Sequence, residues 1–397
     1  MKVRPKTSVV IPIALWLLIF VYVQFIEPYL SISKCSWAHD ANAGHILVIA
    51  DPQLIDEHTY KNRNSILLKI SKHFVDDYIH RNYRALMHQL RPDLVVFVGD
   101  LLDNGRGSDA EYYNSQVSRF NRIFNNLPQS YALPGNHDIG WGDGVSESSV
   151  DKWNSWWGMR NRIVEWNGWE IVLLDDISLA QGDSIGGSSI GGVGEESRNF
   201  VKDLGNDVKH KPRVLFTHVT LWRDVKTQTC GPERESHKDF PVVRGHQYQT
   251  VVDSETSAFI LSNIRPDLVF AGDDHDYCQV EHIYFDKEGK EAKAIDVNVK
   301  SISMAMGISK PAVQLLTLGP SSTYSYSMCY ISKSYLDVAI YILAAFANMT
   351  WNICIYSKGR STNLVRIVKH VDWKRWFETS LLQLFITCLI YIAITYK

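Results

Sequence analysis

Residues 9–26 run for 18 positions without a charged side chain. As a helix at 1.5 Å per residue they reach ~27 Å, close to the ~30 Å hydrocarbon thickness of a bilayer. Lys2, Arg4 and Lys6 precede the run. It is long for the apolar part of a signal peptide, and no A-x-A-like cleavage site follows it, so it reads as an uncleaved anchor. Two further apolar runs close the chain, residues 336–356 and 379–396. Asp337, Asn348 and Asn352 interrupt the first, and the second carries no charge. Between them, residues 357–378 hold Lys358, Arg360, Arg366, Lys369, Lys374 and Arg375. Basic residues stay on the cytoplasmic side of a membrane. Residues 1–8 and the basic loop 357–378 are therefore expected on that side, with three spans. Residues 31–333 are then expected on the lumenal side.

Composition narrows what that middle segment does. Hydrophobic residues are 45% of the 397 and charged residues 21%, a globular balance that excludes disorder as the main state. Basic and acidic residues number 41 and 43, for a net charge of −2, which sets aside a nucleic-acid binder. Six cysteines are too few for a disulfide scaffold of this length.

Within the middle segment, short apolar strands run straight into polar turns. His45 to Ala50 leads into Asp51. Arg91-Pro-Asp-Leu-Val-Val-Phe-Val-Gly-Asp100 gives a helix stop, a buried strand and an acidic turn, and Arg265-Pro-Asp-Leu-Val-Phe-Ala-Gly-Asp273 nearly repeats it. Gln129 to Leu133 leads into Pro134-Gly-Asn-His-Asp138, and Arg213 to Thr217 leads into His218. Helical stretches up to about Leu90, marked by Ile66, Ile70 and Phe74, and another around Tyr112 to Asn126 separate the strands. Buried strands alternating with helices predict an α/β domain with a largely parallel or mixed sheet. Ligands of such sheets collect at the carboxyl ends of the strands. One polar residue at a strand end is ordinarily a turn former or a helix cap. Five strand ends that all supply Asp, Asn or His point instead to one metal centre.

The order D-x-Q, G-D-x-x-D, G-N-H-D, H, G-D-x-H resembles that of the calcineurin-like metallophosphoesterases. Their usual pattern is D-x-H, G-D-x-x-D, G-N-H-[DE], H, G-H-x-H. The resemblance covers Ile46 to about Gly319. It implies an αββα sandwich, here flanked by one N-terminal and two C-terminal transmembrane helices, with a two-metal site at one edge. Carried over residue by residue, Asp51, Gln53, Asp100 and His275 would hold one divalent ion. Asp100, Asn136, His218 and Asp273 would hold the second, with Asp100 bridging. His137 resembles the family's general acid, Asp138 would orient its imidazole, and Asp103 would support the site from behind.

Gln53 and Asp273 stand where the family usually has histidines. Both still offer oxygen, and an oxygen-richer set favours Mn²⁺ or Mg²⁺ over Zn²⁺, so two ions, Mn²⁺ foremost, are the expected cofactors. Asp273 also lowers the formal charge of the site by one, which suits a singly charged phosphodiester better than a dianionic monoester. Together with the terminal apolar runs, Ala50-Asp-Pro-Gln53 and Gly272-Asp-Asp-His-Asp-Tyr-Cys278 resemble one branch: membrane-bound ethanolamine-phosphate phosphodiesterases of the fungal type. That branch remodels GPI anchors in the endoplasmic reticulum or early Golgi and supports export of GPI proteins. The resemblance implies removal of an ethanolamine-phosphate side branch from a mannose of the GPI glycan. The bilayer and that lipid-linked glycan would be the partners. Two other readings stand beside it: a membrane phosphatase or diesterase of another substrate, and an inactive relative acting as an export receptor.

Four cysteines outside the apolar runs allow three pairings. Cys230 with Cys278 is preferred for its place beside the last motif. Cys35 and Cys329 lie near the membrane runs, while Cys354 and Cys388 lie within them. The Gly/Ser-rich residues 182–194 read as a linker rather than a lid. Trp153, Trp156, Trp157, Trp166 and Trp169 read as core aromatics before sugar platforms. Arg223, Arg234 and Arg244 are candidates to meet phosphate, and His246 reads as structural.

Overall fold

The computed structural model describes residues 5–39, 42–180, 192–236, 238–245, 247–357 and 370–395. It divides into two units. One comprises Met1–Ser31 with Ser332–Lys397, and the other Ile32–Ile331.

The second unit is built on two sheets. The strands of the first are β1 (Gly44–Ile49), β2 (Leu94–Val98), β3 (Gln129–Leu133), β12 (Ala312–Leu318) and β13 (Tyr324–Tyr330), in the order β13-β12-β1-β2-β3. The second sheet contains β4 (Arg162–Trp166), β5 (Trp169–Leu173), β6 (Arg213–Phe216), β9 (Leu268–Ala271), β10 (Cys278–Phe285) and β11 (Glu291–Asn298), in the order β10-β11-β9-β6-β5-β4. A small hairpin, β7 (Arg244–Gly245) and β8 (Tyr248–Gln249), stands apart. β1, β2 and β3 run parallel, as do β5, β6, β9 and β11. β4, β10, β12 and β13 are antiparallel additions at the edges.

One core joins the two sheets. Ile46, Val48, Val96 and Val98 from the first pack with Ile171, Leu173, Phe216 and Phe270 from the second. The alternate positions Leu47, Ile49, Val95 and Phe97 are buried too. Both faces of these strands are therefore covered, which explains their unbroken apolar sequence. Sheet facing sheet, with buried outer faces, is the expected sandwich. Trp153 and Trp169 are fully buried, whereas Trp156 is exposed.

The repeated Arg-Pro-Asp-Leu element has a physical account. The helix Ser65–Leu90 ends at Arg91 (φ 47°) and the helix Ser254–Ile264 at Arg265 (φ 55°), both left-handed caps. The following proline prevents the helix from continuing. The next aspartate then accepts the backbone N–H that opens a neighbouring strand. Asp93 takes that of His45 at 2.9 Å, and Asp267 that of Arg213 at 2.8 Å. Each copy thus stops a helix and sets the start of two strands.

Disulfides link Cys230 to Cys278 and Cys35 to Cys329. The two pairs coexist, so Cys35 and Cys329 bond to each other without competing with the pair beside the last motif. Cys354 and Cys388 are free.

Among its described residues the first unit holds three helices long and apolar enough to cross a membrane: Val9–Ser31, Leu336–Tyr356 and Trp373–Ala393. Asn352, a polar interruption in the sequence, donates to Gln383 Oε1 at 2.7 Å and to Ser380 Oγ at 3.0 Å on the facing helix. The last helix starts at Trp373, six residues before the uncharged run, and so carries Lys374 and Arg375 in its first turn. The basic loop is correspondingly shorter, and its residues 358–369 lie outside the described residues, as do residues 182–191 of the Gly/Ser-rich stretch and His246.

Candidate metal centre

Seven parallel strands deliver their carboxyl ends to one edge of the sandwich. Asp51 follows β1, Asp100 follows β2, and Asn136 follows β3. Asp176 follows β5, His218 follows β6, and Asp273 follows β9. Ser301 follows β11, where its hydroxyl donates to the Asp51 carbonyl at 2.8 Å. The backbone bends sharply to aim these side chains. Asp51 (φ 48°), Gln53 (φ 33°), Asp100 (φ 50°), Asp273 (φ 65°) and His275 (φ 65°) all occupy the left-handed region. Non-glycine residues there are strained, and such strain concentrates at functional sites.

The donors fall into two overlapping groups. Ligand atoms of Asp51, Asp100 and His275 lie within 4.8 Å of one another. His218 Nε2 lies 3.3 Å from Asn136 Oδ1, 3.4 Å from Asp100 Oδ1 and 3.6 Å from Asp273 Oδ1. Donors held ~2.0–2.2 Å from one cation stand about 3–4 Å apart, so this spacing fits a shared ion. Asp100 belongs to both groups.

Hydrogen bonds behind the donors leave lone pairs facing inward. His218 Nδ1 donates to the Val98 carbonyl at 2.9 Å, so Nε2 is the bare nitrogen. Asn136 Nδ2 donates to the Gln247 carbonyl at 3.0 Å, which turns Oδ1 toward His218. Gln53 Nε2 donates to Asp103 at 3.2 Å, and Gln53 Oε1 is buried with no partner among the described residues. Asp51 Oδ1 accepts the Asp273 N–H at 3.1 Å, while its Oδ2 is buried with no hydrogen-bond partner among the described residues. Buried acceptors without donors are costly in a native fold. Two of them here, each on a residue of the ligand set, fit cations at this site.

Charge tells the same story. Burial and the neighbouring Asp100 push the carboxyls of Asp51 and Asp273 well above the usual carboxylate range. Asp100 is held below that range by His218 and His137 despite its burial. Burial holds His275 down at about 4 and lowers His218 as well, which favours neutral imidazoles that could ligate a cation. Clustered acids that resist ionisation alone are what two divalent ions would neutralise.

The structure brings together Asp51, Gln53, Asp100, Asn136, His218, Asp273 and His275, and places His137 beside them. The His137 N–H donates to Asp100 Oδ1 at 2.9 Å. Its ring Nδ1 sits 2.5 Å from the Asp103 carbonyl, and its Nε2 lies 3.2 Å from Gln53 Nε2. Asp103 supports Gln53 and accepts from Thr59 Oγ1 at 2.7 Å. Asp138 departs from the expected role. Its carboxylate accepts three backbone N–H groups, those of Leu101 (3.1 Å), Leu102 (3.0 Å) and Gly135 (2.9 Å). In the short helix Asn136–Ile139 it turns inward, away from its neighbour's ring, and clamps the second motif to the third. Carbonyl and side-chain groups of Asp103 and Gln53 orient the imidazole instead.

Sequence reasoning missed Asp176, Gln247 and Ser301. Asp176 does for His218 what Asp138 does for Asp100: it accepts the N–H groups of His218 (3.0 Å) and Val219 (3.1 Å). The signal was present as Leu-Leu-Asp-Asp176 at the end of an apolar strand. Arg223 and Arg234 do not wait for phosphate. Arg223 pairs with buried Asp296 at 3.1 Å, and Arg234 pairs with Asp274. Arg244 is exposed on β7.

A pH dependence follows for metal-free protein. Burial and nearby carboxylates raise Asp138 to about 7, and burial raises Asp176 to about 8. A raised acid favours the fold fully below its unfolded value, and that stability is lost as pH rises through the folded value. The lowered histidines act oppositely, but only below about pH 6.5. Metal-free protein should therefore lose stability between about pH 6.5 and 8. Added Mn²⁺ should restore it. Thermal unfolding across that range with and without Mn²⁺ is the check, and a stability that rises with pH in the metal-free sample would contradict it.

The fold and site define a metal-dependent phosphoester hydrolase. The sequence pattern of the calcineurin-like phosphoesterases matches residues 44–277, and the chain belongs to that family. It is 37% identical over 351 residues to Cell division control protein 1 of Saccharomyces cerevisiae, covering 83% of this chain and 70% of that one. It is 24% identical over 361 residues to Metallophosphoesterase 1 of Xenopus laevis, covering 83% and 84%. A dimetal phosphatase from Danio rerio aligns with 73% of this chain at 11% identity and a TM-score of 0.39, too distant a likeness to add to the assignment.

Proposed function

We propose that this chain is a lumen-facing, Mn²⁺-dependent phosphodiesterase. It removes an ethanolamine-phosphate side branch from a mannose of the GPI-anchor glycan, at the membrane of the endoplasmic reticulum or early Golgi. The observation that carries the metal and diester parts is the donor set. It is rich in oxygen (Asp51, Gln53, Asp100, Asn136, Asp273) with His218 and His275, and it holds three buried or nearly buried carboxylates. Hard oxygen donors suit Mn²⁺ or Mg²⁺. The third carboxylate lowers the positive charge facing the substrate, which favours a monoanionic diester. The GPI substrate is supported by the resemblance of Ala50-Asp-Pro-Gln53 and Gly272-Asp-Asp-His-Asp-Tyr-Cys278 to the ethanolamine-phosphate phosphodiesterases. It is also supported by three helices that would hold the domain at the layer where a glycolipid head projects. Basic residues at Lys2, Arg4 and Lys6 and in the loop 358–369 support the lumenal orientation.

In this reading Asp51, Gln53, Asp100 and His275 would hold one ion, and Asp100, Asn136, His218 and Asp273 would hold the other. When bound, the pair supplies positive charge to phosphoryl oxygens and activates water for in-line attack. The Asp138 and Asp176 carboxylates fix the turns that carry Asp100 and His218. His137, anchored through Nδ1 to the Asp103 carbonyl, sits beside the metal donors as the group that would pass a proton to the leaving mannose oxygen. Gln53 and Asp103 keep that ring in place.

Mass spectrometry of GPI glycans from cells with and without the gene tests the substrate. The expected result is an ethanolamine-phosphate branch retained on mannose when the gene is lost. An unchanged branch pattern would remove this substrate. Purified protein should also cleave a phosphodiester faster than the matched monoester, and the reverse preference would sink the charge argument.

A further inference from the structure

The described residues between His218 and the helix Ser254–Ile264 form a strap closed at its base, where the Val252 N–H donates to the Thr220 carbonyl at 2.9 Å. Its described residues are fastened to both the third and the last ligand motifs. On the side of the last motif, Cys230 bonds to Cys278, three residues after His275. Arg234 pairs with Asp274, which lies between Asp273 and His275. The Ser236 N–H donates to Asp276 at 3.0 Å. Phe240 is buried between the guanidinium groups of Arg223 (4.5 Å) and Arg234 (5.0 Å). It packs with Cys230, Val251, Cys278 and Val280.

At the other end Gln247 makes two contacts with the third motif. Its carbonyl accepts Asn136 Nδ2 at 3.0 Å, and its side-chain Oε1 accepts the Trp141 N–H at 3.0 Å. Gly144 leaves room for that side chain, since a Cβ there would stand 1.9 Å from Gln247 Nε2. Asn136 is an amide, and nothing but hydrogen bonding decides which of its two polar atoms faces the site. The Gln247 carbonyl can accept only from Nδ2. It therefore selects Oδ1 as the atom presented beside His218.

We propose that this strap is a positioning element for the metal centre: Gln247 sets the Asn136 amide, and the Cys230–Cys278 bond fixes the strap that delivers Gln247. The inference rests on the reading of Asn136 as a ligand. Supporting partners of metal ligands typically contribute 10–100-fold in metal affinity.

The test is Mn²⁺ binding to the full chain in detergent, by titration calorimetry and by electron paramagnetic resonance of the bound ion. Gln247→Ala removes the Trp141 contact and should weaken, about tenfold, the ion that Asn136→Ala also weakens. Gly144→Ala should do the same by displacing the side chain. Gln247→Glu keeps the acceptor and should bind within about threefold of wild type. The double variant Cys230→Ala with Cys278→Ala should lose affinity at the same ion and not at the other. Asn136→Ala separates the two ideas. If it binds both ions as wild type does, the ligand reading fails and the strap proposal with it. If Asn136→Ala loses an ion while Gln247→Ala, Gly144→Ala and the cysteine double variant all bind normally, the strap proposal alone is overturned.

Discussion

Asp100→Ala should abolish both metal retention and phosphoester cleavage, with kcat/KM falling by at least about 10³-fold. Asp100 is common to the two donor groups, within 4.8 Å of Asp51 and His275 and 3.4 Å from His218 Nε2. Its loss leaves neither cation a full set of anionic ligands. The same side chain raises the carboxyls of Asp51 and Asp273. Removing it relieves like-charge crowding in metal-free protein but strands the His137 N–H that it accepts, so the melting temperature should change little. Loss of activity without loss of fold is the signature of a residue serving cations and not packing. Gly135→Ala offers a steric version, because a Cβ there would stand 2.1 Å from Asp100 Oδ1. Initial rates and metal content of the variants check both statements. Activity within tenfold of wild type in Asp100→Ala would contradict them.

Asp138→Ala should unfold the protein more readily, by about 3 kcal/mol or more. It strands three backbone N–H groups that bond to Asp138 in a fully buried place, at ~1–3 kcal/mol each. His137→Ala, by contrast, should leave stability nearly unchanged and lower activity by ~10²–10⁴-fold, the usual range for a positioned acid. Urea unfolding of the two variants separates the roles. Equal stability of Asp138→Ala and wild type would show that its clamp on Leu101, Leu102 and Gly135 carries no weight, and would return it to a role at the imidazole.

Much of this arrangement was legible because chemistry and fold share positions. Apolar strands ending in Asp51, Asp100, Asn136, His218 and Asp273 mark both the sheet and the site, and the strand Gln129–Leu133 and the helix Leu336–Tyr356 match their sequence bounds. The direction of a side chain within a turn was not legible. Asp138 follows His137 in the chain, yet its carboxylate faces the backbone of a different strand end. Asp176 was overlooked because a lone acid after a strand looks like any cap, and its partners, His218 and Val219, are 42 and 43 residues away. Left-handed conformations at Asp51, Asp100, Asp273 and His275 have no compositional mark either, since that region is ordinarily signalled by glycine. Arg223 and Arg234 were ambiguous for a related reason. A charge near a phosphate site and a charge in a buried ion pair look alike until Asp296 and Asp274 are seen beside them.

The most direct measurement is an anomalous-difference map from crystals of Mn²⁺-loaded protein. Two peaks per chain are expected, ~3.5–4 Å apart, the distance at which two ions act on one phosphoryl group. One should lie among Asp51, Gln53, Asp100 and His275, and the other among Asp100, Asn136, His218 and Asp273. A single peak, or two peaks that do not share Asp100, would contradict it.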